Sequence, residues 1–379
     1  MYTAKTFRAG THRVRSPEET WERLRELLPR AGITRVADVT ALDRTGIPVF
    51  QAVRPASRNL SVSQGKGATP EAARASAVME AVELWHAEDL GHLPSAVLSA
   101  REMAYDNPIP MESLRWAVAG RPELSAALIP WVRARSFTAD REGWLPRRML
   151  ELDFTASEEL DLALFRPTSN GLASGNCREE ALLHGLCELV ERHALHLADH
   201  EPHRRVPLRE DSLEEPWLRE PVARIRAAGM KLALWDVTWE VGIPAVLADL
   251  AAPDIANVWR GSGCHPNPAV AVSRAVTEAA QSRLTYISGA RDDLPLFGEP
   301  ERAPAIFQAF EEPAATRRLE DLPDLSTASV AADLDAVVAR LREHGLEPFQ
   351  VDLTRPEAAD AGFAVAVAFI PGLRDHVHA

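Results

Sequence analysis

The chain has 379 residues and a formal net charge of -13, which argues against a protein that binds nucleic acid through its phosphates, because that mode needs a basic face. An apolar fraction of 46% is typical of globular proteins, and no segment has the apolar length of a signal peptide core or a membrane span. With only three cysteines and no CxxC pair, the sequence predicts a cytoplasmic protein without disulfides that contacts neither membranes nor nucleic acid.

The first predicted element is an amphipathic helix over residues 16–32. Ser16 is typical of an N-cap, and Gly32 is typical of the position that follows a last turn. The next segment, RVADVTALDRTGIPVFQAVRP from Arg35, alternates apolar and polar residues around a turn and predicts a β-hairpin. A loop with glycines and then a helix from Pro70 are expected to follow it.

This hairpin and helix recur 198 residues later. The DVT that starts at Asp38 returns at Asp236, and the helix from Pro70 aligns with a second one from Pro268 at the same spacing. A third hairpin pattern starts at Val351. Self-similarity at a fixed period is first of all a statement about the fold. We therefore predict an α+β fold in which repeated β-hairpin plus helix modules pack into a single body over residues 1–379.

The predicted pseudo-repeats cover about 35–90, 165–200 and 231–290. Further helices are expected over residues 204–228 and 328–345. Residues 292–327 are rich in Asp, Glu and Pro, which predicts an excursion on the surface rather than a packed element.

The stretch EALLHGLCELVER, residues 180–192, places three carboxylates on one side of a leucine-rich helix. At about 100° per residue, Glu180, Glu188 and Glu191 share a narrow face with His184. A solvated helix face is the simpler interpretation. However, like charges three and four residues apart repel each other, so a face that only meets water usually mixes both signs.

The acidic pattern also repeats. Glu188 and Glu191 align with Glu80 and Glu83 of the helix from Pro70, and a related pair, Glu and Gln, stands at 278 and 281. If these helices converge, their carboxylates need cations. Hard divalent ions such as Mg²⁺ prefer oxygen ligands and commonly bridge carboxylates to phosphates, which predicts a nucleoside triphosphate as the second ligand.

Neither a P-loop nor a dinucleotide-binding glycine motif is present. Lys66 stands in the glycine turn QGKGAT before a helix N-terminus, where it is able to meet a phosphate group.

Cysteine catalysis is disfavoured, because Cys177 and Cys187 lie on or beside the acidic helix and an anionic environment raises a thiol pKa.

Taken together, these motifs resemble the YcaO family over most of the chain, from about Thr11 to Gly372. The resemblance is carried by five segments: SAVMEAVE from Ser76, NGLASGN from Asn170, ELVER from Glu188, SRAVTEAAQSRL from Ser273 and GARDD from Gly289. Two positions depart from the family pattern. Leu84 stands where an arginine is common, and Ala173 stands where a serine is common.

The resemblance implies an enzyme that activates a peptide backbone amide with ATP and Mg²⁺. Carried over by position, it implies metal ligands at Glu80, Glu83, Glu180, Glu188 and Glu191. It implies nucleotide contacts at Arg13, Thr20, Lys66, Ser76, Asn176 and Arg192, and it names no catalytic side chain of this protein.

In this family a nucleophile attacks the backbone carbonyl, ATP phosphorylates the oxyanion and phosphate leaves. Azoline-forming relatives commonly end in P-x-P-x-P, whereas this sequence ends in IPGLRDHVHA. The resemblance therefore favours an external sulfur donor and a thioamide product, with an azoline- or amidine-forming cyclodehydratase as the alternative. A non-catalytic nucleotide-binding scaffold for a partner enzyme is the alternative from another class.

The expected partners are a ribosomally made precursor peptide or protein and a TfuA-like or other peptide-recognition protein. The sequence leaves the oligomeric state open, with a homodimer among the alternatives.

Overall fold

The computed structural model describes residues 4–114, 125–155, 164–291 and 300–374, which form helices and antiparallel strands and confirm the α+β class. In chain order the elements are α1 (Pro17–Leu24), β1 (Arg35–Asp38), β2 (Val49–Val53), β3 (Val62–Lys66), α2 (Pro70–Ala87), β4 (Ser95–Ser99), α3 (Ala100–Met103), β5 (Leu128–Ser136), β6 (Glu142–Pro146), α4 (Arg147–Leu150), β7 (Leu172–Gly175), α5 (Arg178–His200), β8 (Val206–Pro207), α6 (Pro216–Ala227), β9 (Lys231–Asp236), β10 (Ala245–Ala251), β11 (Val258–Cys264), α7 (Pro268–Ser288), α8 (Ala303–Ala309), α9 (Val330–Glu343), β12 (Phe349–Asp352), α10 (Pro356–Asp360) and β13 (Ala364–Phe369).

Within the described residues the strands form three sheets. The first has the order β1-β2-β3, and the second has the order β11-β10-β9-β8. The third has the order β4-β5-β12-β13-β7, with β6 also paired to β5. The hairpins predicted near residues 35, 231 and 351 are all present, as β1-β2, β9-β10 and β12-β13.

Each of the three long helices follows a strand that is paired to a hairpin. Helix α2 follows β1-β2-β3, and α7 follows β9-β10-β11. Helix α5 follows β7, but the hairpin beside β7 is β12-β13 from much later in the chain, with Ala364 paired to Gly175. A complete unit has a hairpin, a third strand paired to it and a long helix. The stretch 165–200 therefore contains only the third strand and the helix, and residues after 348 supply the hairpin.

Strand glycines allow the long helices to lie directly on the strand backbone. A Cβ atom on Gly65 of β3 would overlap the main chain of Ala73 in α2, and a Cβ on Gly263 of β11 would overlap that of Ala271 in α7. These two contacts are 198 residues apart. Gly175 of β7 faces the start of α5 in a similar way. The close approach excludes any side chain at these positions.

The helix predicted over residues 16–32 is shorter than expected. Ser16 caps α1 as predicted: its hydroxyl accepts a hydrogen bond from the Glu19 amide, and the Ser16 amide donates to the Glu19 carboxylate. Regular helix ends at Leu24, and the chain continues in turns to Gly32. Pro29 accounts for the difference, since it has no amide to donate and disfavours helix at the residue before it.

The helix predicted over residues 204–228 is also shorter. It begins only at Pro216, and Pro207 lies in strand β8, where its fixed φ and missing donor are tolerated. The helix predicted over 328–345 is confirmed as α9, which Ser329 caps.

Of the stretch 292–327, residues 292–299 lie outside the described part of the chain. The remainder contains α8, and most of its side chains are exposed. It is attached to the body where the Lys231 ammonium donates to the carbonyls of Phe307 and Phe310.

The core consists mainly of three apolar clusters, and each contains the apolar side of one long helix: α2, α5 or α7. The opposite sides of these helices are therefore free to face a common space. None of the helices in the described ranges combines the length and the apolar character needed to cross a bilayer.

Candidate active site

A cavity of about 570 Å³ lies between α2, α5, α7 and the segment that precedes α1. All eleven residues that the sequence singles out line this cavity: Arg13, Thr20, Lys66, Ser76, Glu80, Glu83, Asn176, Glu180, Glu188, Glu191 and Arg192. The structure thus brings the whole predicted set together around one space. The individual ligand roles stay predictions.

The α2 wall presents two carboxyl groups that burial makes hard to ionise. Burial raises the pKa of Glu80 to about 7, with Lys66 opposing the rise. Burial also raises the pKa of Glu83 to about 8, although Ser174 donates to its Oε1 from both its amide (2.8 Å) and its hydroxyl (2.6 Å). The charge of Glu80 adds to this rise. The α2 wall therefore has too little positive charge nearby to keep both carboxyl groups ionised.

The α5 wall carries the next acidic pair together with an arginine. Glu188 accepts a hydrogen bond from the amide of Gly171 at 3.0 Å and one from Arg192 at 3.4 Å. Burial and the nearby Glu278 raise the pKa of Glu191 to about 6. Burial works against the charge of Arg192, but the neighbouring carboxylates outweigh it and raise the arginine pKa.

Glu180 fixes the segment before α1 to the start of α5. Its Oε1 accepts from the amide of Val14 at 2.5 Å, and its Oε2 accepts from the amide and the side chain of Asn176 at 2.8 and 3.1 Å. The Thr20 hydroxyl donates to Asn176 Oδ1 at 2.9 Å, and Arg13 Nε lies 3.9 Å from Glu180 Oε2. These contacts explain how Arg13 and Thr20, far from α5 in sequence, reach the cavity.

The α7 wall contains Glu278, which was absent from the predicted ligand set. Lys66 donates to Glu278 Oε2 at 2.6 Å, and the Ser262 hydroxyl donates to Glu278 Oε1 at 3.2 Å. Burial by itself would raise the pKa of Glu278, but the charge of Lys66, followed by that of Arg192, lowers it. The alignment of the 278–281 pair with the two acidic pairs was the signal that could have identified this residue.

Sequence reasoning also missed cations that line the cavity, among them Arg15 and Arg274. Arg274 lies within SRAVTEAAQSRL, one of the segments that carry the resemblance. His184, on the acidic face of α5, is a neutral imidazole, because burial and then the charges of Arg274 and Arg13 hold its pKa well below the ordinary value.

The cavity suits divalent cations with a polyphosphate. Carboxyl groups with raised pKa values on α2 and α5 face one space, and a cation among them would favour their ionised forms. Arginines and a lysine line the same space and are available to an anionic ligand.

Two other groups of side chains have chemistry that is typical of sites: the Cys177 thiol and a cluster of two histidines with an aspartate. Burial raises the pKa of the Cys177 thiol to about 12, which agrees with setting cysteine catalysis aside. His12, His265 and Asp333 lie close enough together to ligate a metal. However, the Lys5 ammonium contacts Asp333 Oδ2 at 2.5 Å and His12 Nδ1 at 3.1 Å. The lysine therefore occupies the position that a metal ion would take.

Comparison with known proteins gives a match over residues 64–374 to the family model described as YcaO cyclodehydratase, ATP- and Mg²⁺-binding. An uncharacterized protein of Methanothermobacter thermautotrophicus is 37% identical over 369 residues, which covers 94% of each chain. A protein of Rhizobium leguminosarum bv. trifolii, described as uncharacterized and in the tfuA 3' region, is 38% identical over 321 residues, which covers 81% of this chain and 73% of its own.

Two solved structures share the fold. YcaO from Methanopyrus kandleri, bound with AMPPCP and Mg²⁺, gives a TM-score of 0.74 at 26% identity, over 99% of this chain and 96% of that one. A heterocyclase in complex with substrate and cofactor gives a TM-score of 0.80 at 23% identity, and this chain spans 54% of the heterocyclase's length.

Proposed function

This chain belongs to the YcaO family, and we propose that it uses ATP and Mg²⁺ to convert a backbone amide of a ribosomally made peptide or protein into a thioamide. ATP and Mg²⁺, the cofactors implied by the motifs, agree with the description of the family model. The observation that carries the proposal is the cavity in which acidic pairs from α2 and α5 face each other beside arginines and Lys66.

Glu80, Glu83, Glu188 and Glu191 are the proposed ligands of the metal ions. Their carboxyl groups line one space, and three of them have raised pKa values that a bound cation would lower. Glu180 reaches the same cavity and keeps a lone pair on Oε1 beyond its bond to Val14, so its predicted role as a ligand stays open to it.

When bound, ATP would supply the phosphoryl group that turns the amide oxygen into a leaving group, and Mg²⁺ would offset the charge on that group. The protein's part is to position and to neutralise charge. Arg192 is held beside Glu188 on α5, and Arg274 of α7 lines the same cavity, so in the proposed reaction their guanidinium groups would stabilise charge on the phosphoryl oxygens. Ser76 and Asn176 offer polar groups to the same ligand.

The choice of a sulfur donor rests on one observation: the Rhizobium relative is named for its position in a tfuA region. In the proposed reaction hydrosulfide attacks the carbonyl carbon and the oxyanion takes the phosphoryl group. Phosphate then leaves with the original oxygen, and the S–H proton departs as C=S forms. A TfuA-like partner and a precursor peptide are the proposed interaction partners.

The test is to incubate the protein with ATP, Mg²⁺, sulfide, a candidate precursor and a TfuA-like protein, and to measure peptide mass. Replacement of one oxygen by sulfur is the expected result. Loss of one water would instead indicate a cyclodehydratase. Nucleotide binding without ATP turnover in any combination would favour the scaffold alternative, and the Glu83→Gln variant serves as the inactive control.

A further inference from the structure

Lys66 is held by α7, although it belongs to β3 beside α2. Its ammonium group lies 2.6 Å from Glu278 Oε2, and the two side chains are 26% and 27% exposed, so both remain open to the cavity. The charge of Lys66 also acts on Glu80 of α2. The lysine therefore stands between two walls of the site, on the side of its contact with Glu278.

This ion pair is linked to the acidic pair of α5 through one hydroxyl group. Ser262 lies on β11 and donates to Glu191 Oε1 at 2.7 Å and to Glu278 Oε1 at 3.2 Å. A single hydroxyl proton serves only one acceptor at a time. The two carboxylates thus share one donor, and a change at Glu278 is felt at Glu191.

Lys66 places a positive charge beside Glu278, as a bound metal ion would do for the other carboxylates of the site. Among the described residues, Glu278 has an ammonium group in direct contact, whereas Glu83 accepts its hydrogen bonds from Ser174 alone. Once divalent cations neutralise the α2 and α5 carboxylates, the negative potential that holds Lys66 in place is reduced. An anionic phosphate then becomes the stronger attraction for the lysine.

We propose that Glu278 is a positioning residue that holds Lys66 while the site is free of ligand and releases it to the nucleotide phosphates when divalent cation and nucleotide bind together. The inference rests on the proposed function, since it assigns nucleotide phosphate as the second partner of Lys66. Through Glu278, the affinity for nucleotide depends on bound cation. This dependence is additional to the direct contact between the cation and the nucleotide.

The binding test uses AMPPCP and isothermal titration calorimetry, once with Mg²⁺ and once with EDTA. In EDTA, Glu278→Gln is expected to bind AMPPCP about tenfold more tightly than the unmodified protein, because Lys66 is already free. With Mg²⁺ the two affinities should agree within about threefold. In a Lys66→Met background, Glu278→Gln should give no such gain. Glu343→Gln, which removes the surface partner of Arg340, is the matched control.

A spectroscopic test follows Lys66 directly. The sequence contains three lysines, Lys5, Lys66 and Lys231, so selectively labelled lysine gives three side-chain NMR signals. Addition of AMPPCP with Mg²⁺ should move the Lys66 signal, and Glu278→Gln should move it before any ligand is added. Lys231 donates to the carbonyls of Phe307 and Phe310 and acts as the internal reference.

Equal weakening of AMPPCP binding by Glu278→Gln in EDTA and in Mg²⁺ would overturn the inference, because Glu278 would then support the site without restraining Lys66. A Lys66 signal that does not respond to Glu278→Gln would overturn it as well. Failure of the unmodified protein to bind AMPPCP with Mg²⁺ is a different outcome, and it would count against the proposed function itself.

Discussion

The α2 and α7 walls are built by the same packing contact and yet differ in charge. In each, a strand glycine lies against an alanine of the helix, and the two contacts, Gly65 with Ala73 and Gly263 with Ala271, are separated by the same 198 residues as the sequence repeat. On the cavity side, burial leaves Glu83 with a raised pKa, whereas Lys66 lowers the pKa of Glu278.

The difference shows which part of a repeated unit is constrained by folding. Backbone-to-backbone packing allows only glycine at the contact, so it leaves no freedom for substitution. Side chains that face the cavity do not enter this packing, and their charge is set by which cation stands nearby. On the α7 wall, a lysine of the protein neutralises the carboxylate. On the α2 wall, neutralisation is left to a ligand.

The largest expected effect comes from breaking the shared packing. Gly65→Ala and Gly263→Ala should each destabilise the protein by about 3 kcal/mol or more, because a Cβ would overlap main-chain atoms that cannot move aside cheaply. Urea unfolding measures the loss. Gly91→Ala is the control, since a Cβ there meets only the exposed side chain of Asp89. Mild effects at Gly65 and Gly263 would show that the two walls are not packed alike.

The second prediction concerns the charge of the α2 wall. Glu83→Gln should lower the rate of ATP turnover about 100-fold, because it removes a proposed metal ligand while keeping the shape of the side chain and its bond to Ser174. A phosphate-release assay measures the rate. Glu71→Gln, in the first turn of the same helix, should leave turnover nearly unchanged. Full activity of Glu83→Gln would show that this carboxylate of the α2 wall is not a metal ligand.

The pH dependence of stability provides the third test. The folded-state pKa values of Glu80, Glu83 and Glu191 are raised to between about 6 and 8, so the folded protein holds protons that the unfolded chain releases above its ordinary carboxyl pKa. Their contribution to stability is present at low pH and is lost as pH rises through these values.

In the absence of ligand, Tm should therefore fall by about 5 °C between pH 5.5 and pH 8.5, as measured by differential scanning calorimetry. Glu83→Gln should reduce this slope, and Mg²⁺ with AMPPCP should stabilise the protein more at the higher pH. A slope that Glu83→Gln does not alter would show that this wall has no excess negative charge.

The smallest expected effect concerns the α5 wall. Thr20→Val removes the hydrogen bond to Asn176 Oδ1 while keeping the side-chain volume, and should weaken AMPPCP binding about threefold to fivefold. Calorimetric titration measures the change, with Thr34→Val, an exposed threonine near β1, as the control. Unchanged binding in Thr20→Val would indicate that the contact between α1 and Asn176 does not contribute to nucleotide binding.

Local patterns predicted well those parts of the fold that depend on neighbours in sequence. The cap at Ser16, the hairpins and the acidic faces of α2 and α5 follow from periodicity and spacing. The pairing of β7 with β13 did not, because it joins residues nearly 190 positions apart and no local signal records the partner. Pro29 and Pro216 limit α1 and α6, whereas apolar periodicity alone extends the predicted helices over residues 16–32 and 204–228.

The grouping of the candidate residues around one cavity was predicted more completely than the topology. Carboxylates that crowd one side of a helix show themselves through like-charge spacing, so α2 and α5 were identified together. The partner of Lys66 was not identified, because an ion pair between β3 and α7 depends on how two distant units are placed. The acidic pattern at Glu278 indicated a related helix without revealing that a lysine would neutralise it.

The position of β13 has a consequence for synthesis on the ribosome. Strand β7, which leads into α5, is hydrogen-bonded along Ala364 to Val367, and the Ala368 amide donates to the Gly171 carbonyl at 2.8 Å. A nascent chain that already contains every acidic residue of the cavity still lacks the strand that seats α5. The cavity can therefore take its final shape only when translation has passed residue 369, and an unfinished chain should not consume ATP.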